Sequence, residues 1–465
     1  MSALWNPEEL IDATGGEMPR LFAATGLCID TRQIKPGDLF IALIGENRDG
    51  HGFALEAMAR GAAGVMIHQH IVGLSRTAPV LLVDDTLAAL NRLAAFARQR
   101  FAGKLVAITG SVGKTTTKEM LRAILGAQGK THAAEASFNN HWGVPLTLAR
   151  LPEDSAWCVI EIGMNHAGEI SPLAKLARPH VALITNVEKT HFGHLGSIEA
   201  IAEEKSSIVH GLEPGGPIVL PADSALLSHL RVATIGHPAI TFGVARDADT
   251  RLTDVITEAD ATTLTADIGG IEVSTRLAAP GRHMALNALA ALTAATALGA
   301  DPVLGAPALT GFAPISGRGA RRSIAVKGGA ALLLDESYNA SVASMRAAFA
   351  VLRLQPGRRR IAVLGDMLEL GAAGPEEHLA LAADLAVSAD LVFTCGPLMG
   401  LLADALPAPQ RGAHTSESAS LALTVARAVG PGDVVLVKGS HGSRMQRIIA
   451  ALAAAEASPS GLEKS

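Results

Sequence analysis

The sequence predicts an α/β protein of three domains: a small N-terminal α/β domain, a central P-loop-type parallel sheet, and a C-terminal Rossmann-like α/β domain. Three observations predict it. Short buried apolar runs alternate with helix-patterned stretches along most of the chain, the pattern of parallel strands and crossover helices. The stretch LVAITGSVGKTTTKEMLRAIL, Leu105 to Leu125, reads as strand, glycine loop and helix. Finally, 465 residues make about three units at the usual ~150 residues each, every one able to bury its own core. The composition shifts place the domains at 1–84, 85–315 and 316–457, with a tail at 458–465.

In the first unit, Pro36-Gly37 sets a turn, Leu39 to Leu43 a strand, Gly45 to Gly52 a polar, glycine-punctuated loop and Phe53 onward a helix. Gly64 to Ile67 and Val80 to Val83 read as further strands. The loop, basic at Arg48, is suited to an anionic or sugar ligand and equally to plain solvation. A helix-patterned connector, Thr86 to Phe101, leads into the central domain.

There, Gly110 and Gly113 let backbone N–H groups approach phosphate oxygens, and the helix that follows turns its positive end toward them. Lys114 then reaches the outer phosphates and Thr115 offers a hydroxyl to Mg²⁺. The longer loop consensus wants glycine at 108, where this chain has Ile108, so the loop is a shortened GxxGKT variant. The bland alternative is a glycine turn between strand and helix. WCVIEIG from Trp157, HVALITN from His180 and PIVLP from Pro217 read as buried strands of one parallel sheet, whose carboxyl ends form the ligand edge. Thr115, Glu161 and His191 stand at or just past those ends, although a lone Glu or His there is as readily structural. Arg251 to Arg276 alternates as antiparallel strands do, and His283 to Leu298 is an Ala-rich helix. In the last third, ALLLDES, IAVLGD, LVFTCG and DVVLVKG, ending at Ser337, Asp366, Gly396 and Gly439, repeat the alternation of strand and helix. The small, polar stretch from Ala455 reads as a fraying tail.

Composition narrows the function. Apolar residues at 49% and charged residues at 18% call for globular order throughout. No run of ~20 uncharged apolar residues is present to span a bilayer, and the N-terminus, with Glu8 and Glu9, lacks the basic start and apolar core of a signal peptide. Cys28, Cys158 and Cys395 are odd in number and without metal-ligand spacing, so they read as core residues of a reducing, cytoplasmic compartment. A net charge of −5 argues against nucleic acid, and the basic groups at Arg318, Arg321 and Arg322 and at Arg358 to Arg360 lack interleaved aromatics, so solvated charge is their default reading.

Together these motifs resemble the Mur ligase family, the ATP-dependent amide-forming enzymes of peptidoglycan precursor synthesis, over nearly the whole chain. DESYNAS from Asp335 and LGDMLELG from Leu364 are similar to the member that adds D-alanyl-D-alanine to UDP-N-acetylmuramoyl-tripeptide, and the DNPR stretch common in the diamino-acid-adding member is missing. The resemblance implies ATP and Mg²⁺ as cofactors. Gly110, Ser111, Gly113, Lys114, Thr115 and Thr116 would bind the ATP phosphates and one Mg²⁺, with Glu161 a further ligand of that ion. His191 would sit on a second Mg²⁺ near the acyl phosphate, and Lys205 takes the place of the family's carbamylated lysine, making Lys114, Lys205 and His191 the catalytic set. Without the resemblance, Lys205 is a solvated helix charge. Asn287 matches an adenine-side asparagine and Arg318 an arginine directed at the γ-phosphate, with Glu336 a further nucleotide contact. Met284 stands where the family usually has asparagine. Thr31, Arg32 and the Asn47, Asp49 and His51 loop would meet the uridine end, and Asn139, Asn140 and Thr147 the sugar and peptide stem. Tyr338 and Asn339 would hold the dipeptide, unless Asn339 merely caps the helix near Ser341. The family often has Asn where Ser137 stands, and Asn then Pro at Ser341 and Val342. The resemblance further implies a cytoplasmic monomer with no nucleic-acid or membrane partner. A regulatory P-loop ATPase, a non-catalytic UDP-sugar-binding protein and a relative adding a diamino acid are the competing readings.

Overall fold

The computed structural model describes residues 3–75, 77–135 and 137–457, and among these the chain builds three main sheets in succession. The first has four parallel strands in the order Gly26–Cys28, Asp38–Ile41, Gly64–Ile67, Val80–Leu82. Helix Thr86–Arg100 starts where the Asp85 carboxylate accepts from Ala88 N, and its Ala89, Leu90, Leu93, Ala94 and Ala97, spaced by three and four, bury one face. The core beneath this sheet does not end with the domain. Leu146 and Ala149, from helix Gly143–Ala149 of the middle of the chain, pack into it beside Trp5, Leu39 and Met66. Trp5 is wholly buried, its Nε1–H donates to Ala149 O at 2.9 Å, and the Arg100 guanidinium lies 4.2 Å above its ring. Arg150 Nε donates to Leu27 O at 2.8 Å and adds a second tie between the two units.

The central sheet has nine strands among the described residues, in the order Ile271–Leu277, Thr262–Ile268, Thr250–Thr257, Ala239–Gly243, Ile218–Pro221, Val181–Ile184, Lys104–Thr109, Trp157–Glu161, Thr131–Ala133. The strands from Ala239–Gly243 to the Thr131–Ala133 edge run parallel, and the last three in the chain form an antiparallel meander. The chain leaves strand Lys104–Thr109 toward one edge and returns on its other side. The crevice at its carboxyl end is therefore the switch point where doubly wound sheets bind ligands. Register places Glu161 across from Ile108, one residue before Thr109, so its carboxylate reaches the glycine loop. Helix Arg282–Leu298 packs under the sheet through Ala285, Ala288, Leu289, Leu292 and Ala295.

The third sheet runs Ala320–Val326, Gly329–Glu336, Val434–Lys438, Arg360–Gly365, Leu391–Cys395, Arg411–Thr415, antiparallel only at its first pair. Helix Val342–Leu354 covers one face through Met345, Phe349 and Leu352, while Leu421, Val425 and Ile448 cover the other.

Several expectations need correction. The strand expected to reach Leu43 stops at Ile41, and the supposed open loop folds as a short hairpin, Ile44–Gly45 with Arg48–Asp49, before the 3₁₀ turn Gly50–Phe53. Strands Thr131–Ala133 and Ala320–Val326 went unpredicted because they are short or polar. The second of these carries Arg321 and Arg322, read from sequence as solvated charge. Arg322 is exposed as expected, whereas Arg321 donates to Gln355 and both Arg358 and Arg359 pair with the buried Asp433. The tail expected from Ala455 begins as helix, Gln446–Ala457, and residues 458–465 lie outside the described part. Among the described residues no helix is long and apolar enough to cross a membrane.

Because Trp5 fills the joint between two domains, Trp5→Ala is expected to cost about 3–5 kcal/mol, as deletion of a buried aromatic does. Chemical denaturation followed by circular dichroism measures this; a loss below about 1 kcal/mol would show that the joint contributes little.

Candidate active site

Gly110 sits at φ +147° and Gly113 at φ +83°, both inside the range that disfavours side chains. A Cβ at Gly110 would stand 1.9 Å from Thr185 Oγ1, and one at Gly113 would stand 2.5 Å from Asn287 Oδ1. The loop is clamped from the neighbouring strand. Asn186 Oδ1 accepts from Ser111 N at 3.1 Å and Val112 N at 2.9 Å, Thr185 Oγ1 donates to Val112 O at 2.7 Å, and Ser111 Oγ exchanges hydrogen bonds with the Glu188 main chain. Ser111, expected to bind phosphate, therefore spends its side chain and N–H on holding the loop. The donors left are those of the first turn of helix Lys114–Gly126, which no side chain caps.

Lys114 Nζ donates to Gly110 O at 2.6 Å. Withdrawal of this ammonium from water pushes its pKa down, Glu161 opposes the shift, and Arg318 adds to it. Thr115, fully buried, donates from its hydroxyl to Glu161 Oε2 at 2.9 Å and lies 3.1 Å from Ser137 Oγ. Asn139 Nδ2 donates to the other Glu161 oxygen at 2.7 Å. Arg318, reaching in from the junction with the C-terminal domain, donates to Ser137 Oγ at 2.7 Å while its guanidinium lies 3.9 Å over the Tyr338 ring. Lys438, at a strand end of the third sheet, donates to Glu336 Oε2 at 3.3 Å and to Asn339 O at 3.1 Å.

A cavity of about 920 Å³ between the central and C-terminal domains lies beside these groups, and Thr115 and Ser137 do not line it. Lys114, Thr116, Glu161, His191, Asn287, Arg318 and Glu336 line it, and so do Asn139, Asn140, Tyr338 and Asn339. Lys205 does not. It is buried behind the wall on helix Ile198–Ser206, and burial, reinforced by Lys114 and opposed by Glu204, holds its amine well below the ordinary lysine pKa. His191 sits at φ +57°, its Nδ1 2.5 Å from Glu369 Oε2, within donor–acceptor distance though off the alignment of an ideal hydrogen bond. Glu369 itself sits at φ +66°. Left-handed backbone costs a residue with a side chain about 1 kcal/mol or more, and both residues carry that strain at a single contact.

The first-domain set does not reach this cavity. Arg32 is exposed and paired with Asp30 at 2.6 Å, Thr31 is buried at the start of a 3₁₀ turn, and Asn47 and Asp49 lie in the exposed hairpin. His51, expected to meet ligand, is almost fully buried with both ring nitrogens engaged: Nδ1 stands 2.7 Å from Asp49 Oδ1 and Nε2 accepts from His68 N at 3.2 Å. Its tautomer is thereby set to Nδ1–H, and the ring braces the hairpin. Thr147 also turns inward, donating to Gly143 O at 2.8 Å from within a buried helix. Asn140 shares its oxygen between Trp142 N and Gly143 N, so it opens that helix as well as lining the cavity. Asn339 does not cap the helix near Ser341, because Ser341 forms that cap itself with Ser344. Tyr338 lies against Arg318, on the side of the phosphate loop. The residues that sequence reading missed are Asn186, Lys438 and Glu369. Lys438 ends a buried strand, and Asn186 and Glu369 sit two and four residues past one, positions that could have flagged them.

Comparison with known proteins agrees with this architecture along the chain. Residues 23–98 match the Mur ligase family catalytic domain, residues 108–295 the Mur ligase middle domain, and residues 321–441 the Mur ligase glutamate ligase domain. The UDP-N-acetylmuramoyl-tripeptide–D-alanyl-D-alanine ligase of Synechocystis is 38% identical over 437 residues, 92% of each chain. The crystal structure of MurF from Acinetobacter baumannii superposes with a TM-score of 0.83 at 30% identity, covering 97% of this chain and 99% of that one. MurF from Thermotoga maritima in complex with ADP gives a TM-score of 0.74 at 26% identity, covering 94% and 98%.

If the loop holds nucleotide phosphates, Lys114→Ala should weaken ATP binding by about 10–100-fold, the scale of losing a charge-assisted contact, without unfolding the chain. Isothermal titration decides this, and unchanged affinity would remove Lys114 from the phosphate site.

Proposed function

The chain belongs to the Mur ligase family, and we propose that it joins D-alanyl-D-alanine to UDP-N-acetylmuramoyl-tripeptide, converting ATP to ADP and phosphate. The observation that carries this reading is the whole-length likeness to ligases of that one name. It includes the C-terminal stretches DESYNAS and LGDMLELG, which border the cavity.

The chemistry asks for what the cavity holds. A carboxylate is a poor electrophile, so it first attacks the γ-phosphorus. An oxygen–phosphorus bond forms, ADP leaves, and an acyl phosphate remains. The dipeptide amine then adds to the acyl carbon, the tetrahedral intermediate collapses, phosphate departs with the bonding pair, and the amine's proton is lost. The first step brings two anions together. Lys114 and Arg318 offset that repulsion from opposite domains, and the uncapped helix start adds its N–H groups. Asn287, packed against Gly113, borders the nucleotide, with Met284 buried beside it and offering no polar contact. Placing the reaction between two domains keeps the acyl phosphate from water.

The residues also fit Mg²⁺. No group of three or more His, Cys, Asp and Glu converges among the described residues, and magnesium characteristically uses one or two protein oxygens and completes its shell with phosphates and water. Thr115 and Glu161, 2.9 Å apart, would hold it on the phosphate side, and His191 with Lys205 would serve a second ion. Bound there, the metal neutralises phosphate charge. Lys205 suits carbamylation: burial holds its pKa well below the ordinary lysine range, which favours the free amine that attacks CO₂, forms the N–C bond, releases a proton and becomes an anionic oxygen donor. Thr31, Arg32, Asn47 and Asp49 are assigned to the uridine end, outside the cavity. The same reading makes the protein a cytoplasmic monomer without nucleic-acid or membrane partners.

Two measurements test this. Phosphate release with UDP-N-acetylmuramoyl-tripeptide and a panel of amines should select D-alanyl-D-alanine over free diaminopimelate or lysine, and ligation of a diamino acid to the UDP-dipeptide alone would move the protein to the preceding step. Lys205→Ala should be inactive and partly restored by acetate, whereas Lys205→Arg should not be rescued. Full activity of either unrescued variant would exclude the carbamate.

A further inference from the structure

The contact between His191 and Glu369 is part of a larger seam between the central and C-terminal domains. Gly193 N donates to Glu369 O at 2.8 Å, two residues beyond the histidine. Gly193 and Gly371 meet backbone to backbone: a Cβ on Gly193 would come 3.2 Å from Gly371 N, and one on Gly371 would come 3.1 Å from Gly193 Cα. Lys189 Nζ donates to Glu377 Oε1 at 2.6 Å from the other side of His191. Behind Glu369, the buried His378 accepts from Met367 N at 3.0 Å and lies 2.6 Å from Gly374 O, fixing the turn that carries the carboxylate. Main-chain bonding and a braced turn therefore deliver the Glu369 side chain to one ring nitrogen of His191. His191 itself starts the short helix Phe192–Leu195 in a left-handed conformation, with no side-chain cap to hold it.

We propose that Glu369 is a positioning residue for His191, so that seating of the C-terminal domain orients the imidazole. The inference rests on the role given to His191 above. A carboxylate at Nδ1 keeps the proton on that nitrogen and fixes the ring plane, leaving Nε2 with its lone pair for the cavity that His191 lines. The central domain alone supplies no such partner among its described residues. The histidine is therefore set only where the two domains touch, which couples assembly of the site to engagement of the domain that carries Tyr338, Asn339 and Lys438.

The test is a double-mutant cycle in the full-length enzyme. Glu369→Ala should lower kcat by about 10–100-fold, the usual effect of removing a carboxylate behind a working histidine, with KM for ATP within about two-fold of wild type. Glu369→Gln, whose amide oxygen still accepts from Nδ1–H, should recover most of that loss. His191→Ala combined with Glu369→Ala should be no slower than His191→Ala alone, because the carboxylate acts through the ring. In ¹⁵N-histidine-labelled protein, Glu369→Ala should also abolish the Nδ1–H tautomer signature of His191. Wild-type kcat in Glu369→Ala, fully additive losses, or an unchanged tautomer signature would each overturn the proposal while leaving the role of His191 standing. Wild-type turnover in His191→Ala would instead overturn that role itself.

Discussion

Two amines withdrawn from water at one edge of the central sheet set the terms for everything around them. Burial lowers the pKa of both Lys114 and Lys205, and Lys114 lowers that of Lys205 further. Glu161 and Glu204 supply negative charge nearby, but Glu204 is occupied in capping, accepting from Gly168 N at 2.7 Å and Ile170 N at 2.9 Å. Arg318 brings a guanidinium across from the C-terminal junction. Such a place is costly to hold without anions and rewards a polyphosphate strongly, so the glycine loop, its clamp through Asn186 and the uncapped helix start work as parts of one device.

The parts of that device legible in the sequence were those enforced by backbone geometry. Gly110, Gly113 and Lys114 stand out because a loop that must pass against Thr185 and Asn287 without side chains leaves a glycine signature. The buried parallel strands were legible for a similar reason: strands covered on both faces are continuous apolar runs, as at Leu105 to Thr109 and Val181 to Ile184. Edge strands gave no such signal. Ala320–Val326 carries two adjacent arginines and is only partly buried, so it lacks the continuous apolar run of a central strand.

Several polar side chains assigned to ligand in a linear reading are also hydrogen-bonded within the fold itself. His51, Thr147 and Ser111 look like ligand contacts in a linear reading. In three dimensions, each spends its hydrogen bonds on a neighbouring hairpin, helix or loop. Whether a polar residue faces a ligand or a backbone group depends on elements dozens of residues away, as with Asn186 and Ser111, 75 residues apart. Glu369 escaped notice because its partner is in another domain and only the folded chain brings the two together.

The shared core around Trp5 has a consequence for how such a chain can vary. Leu146 and Ala149 belong by connectivity to the central domain and by packing to the first, so the N-terminal segment is no detachable module. Excised at the connector helix, it would expose the Trp5 face to water. Grafted onto another ligase, it would meet a foreign helix in place of Gly143–Ala149. That same helix follows directly on Asn139 and Asn140 at the cavity wall, so exchanging the N-terminal segment means exchanging a piece of the wall with it. Recombination between relatives is therefore expected to succeed only at breakpoints beyond Arg150, which makes the first domain and the geometry of the cavity wall a single heritable unit.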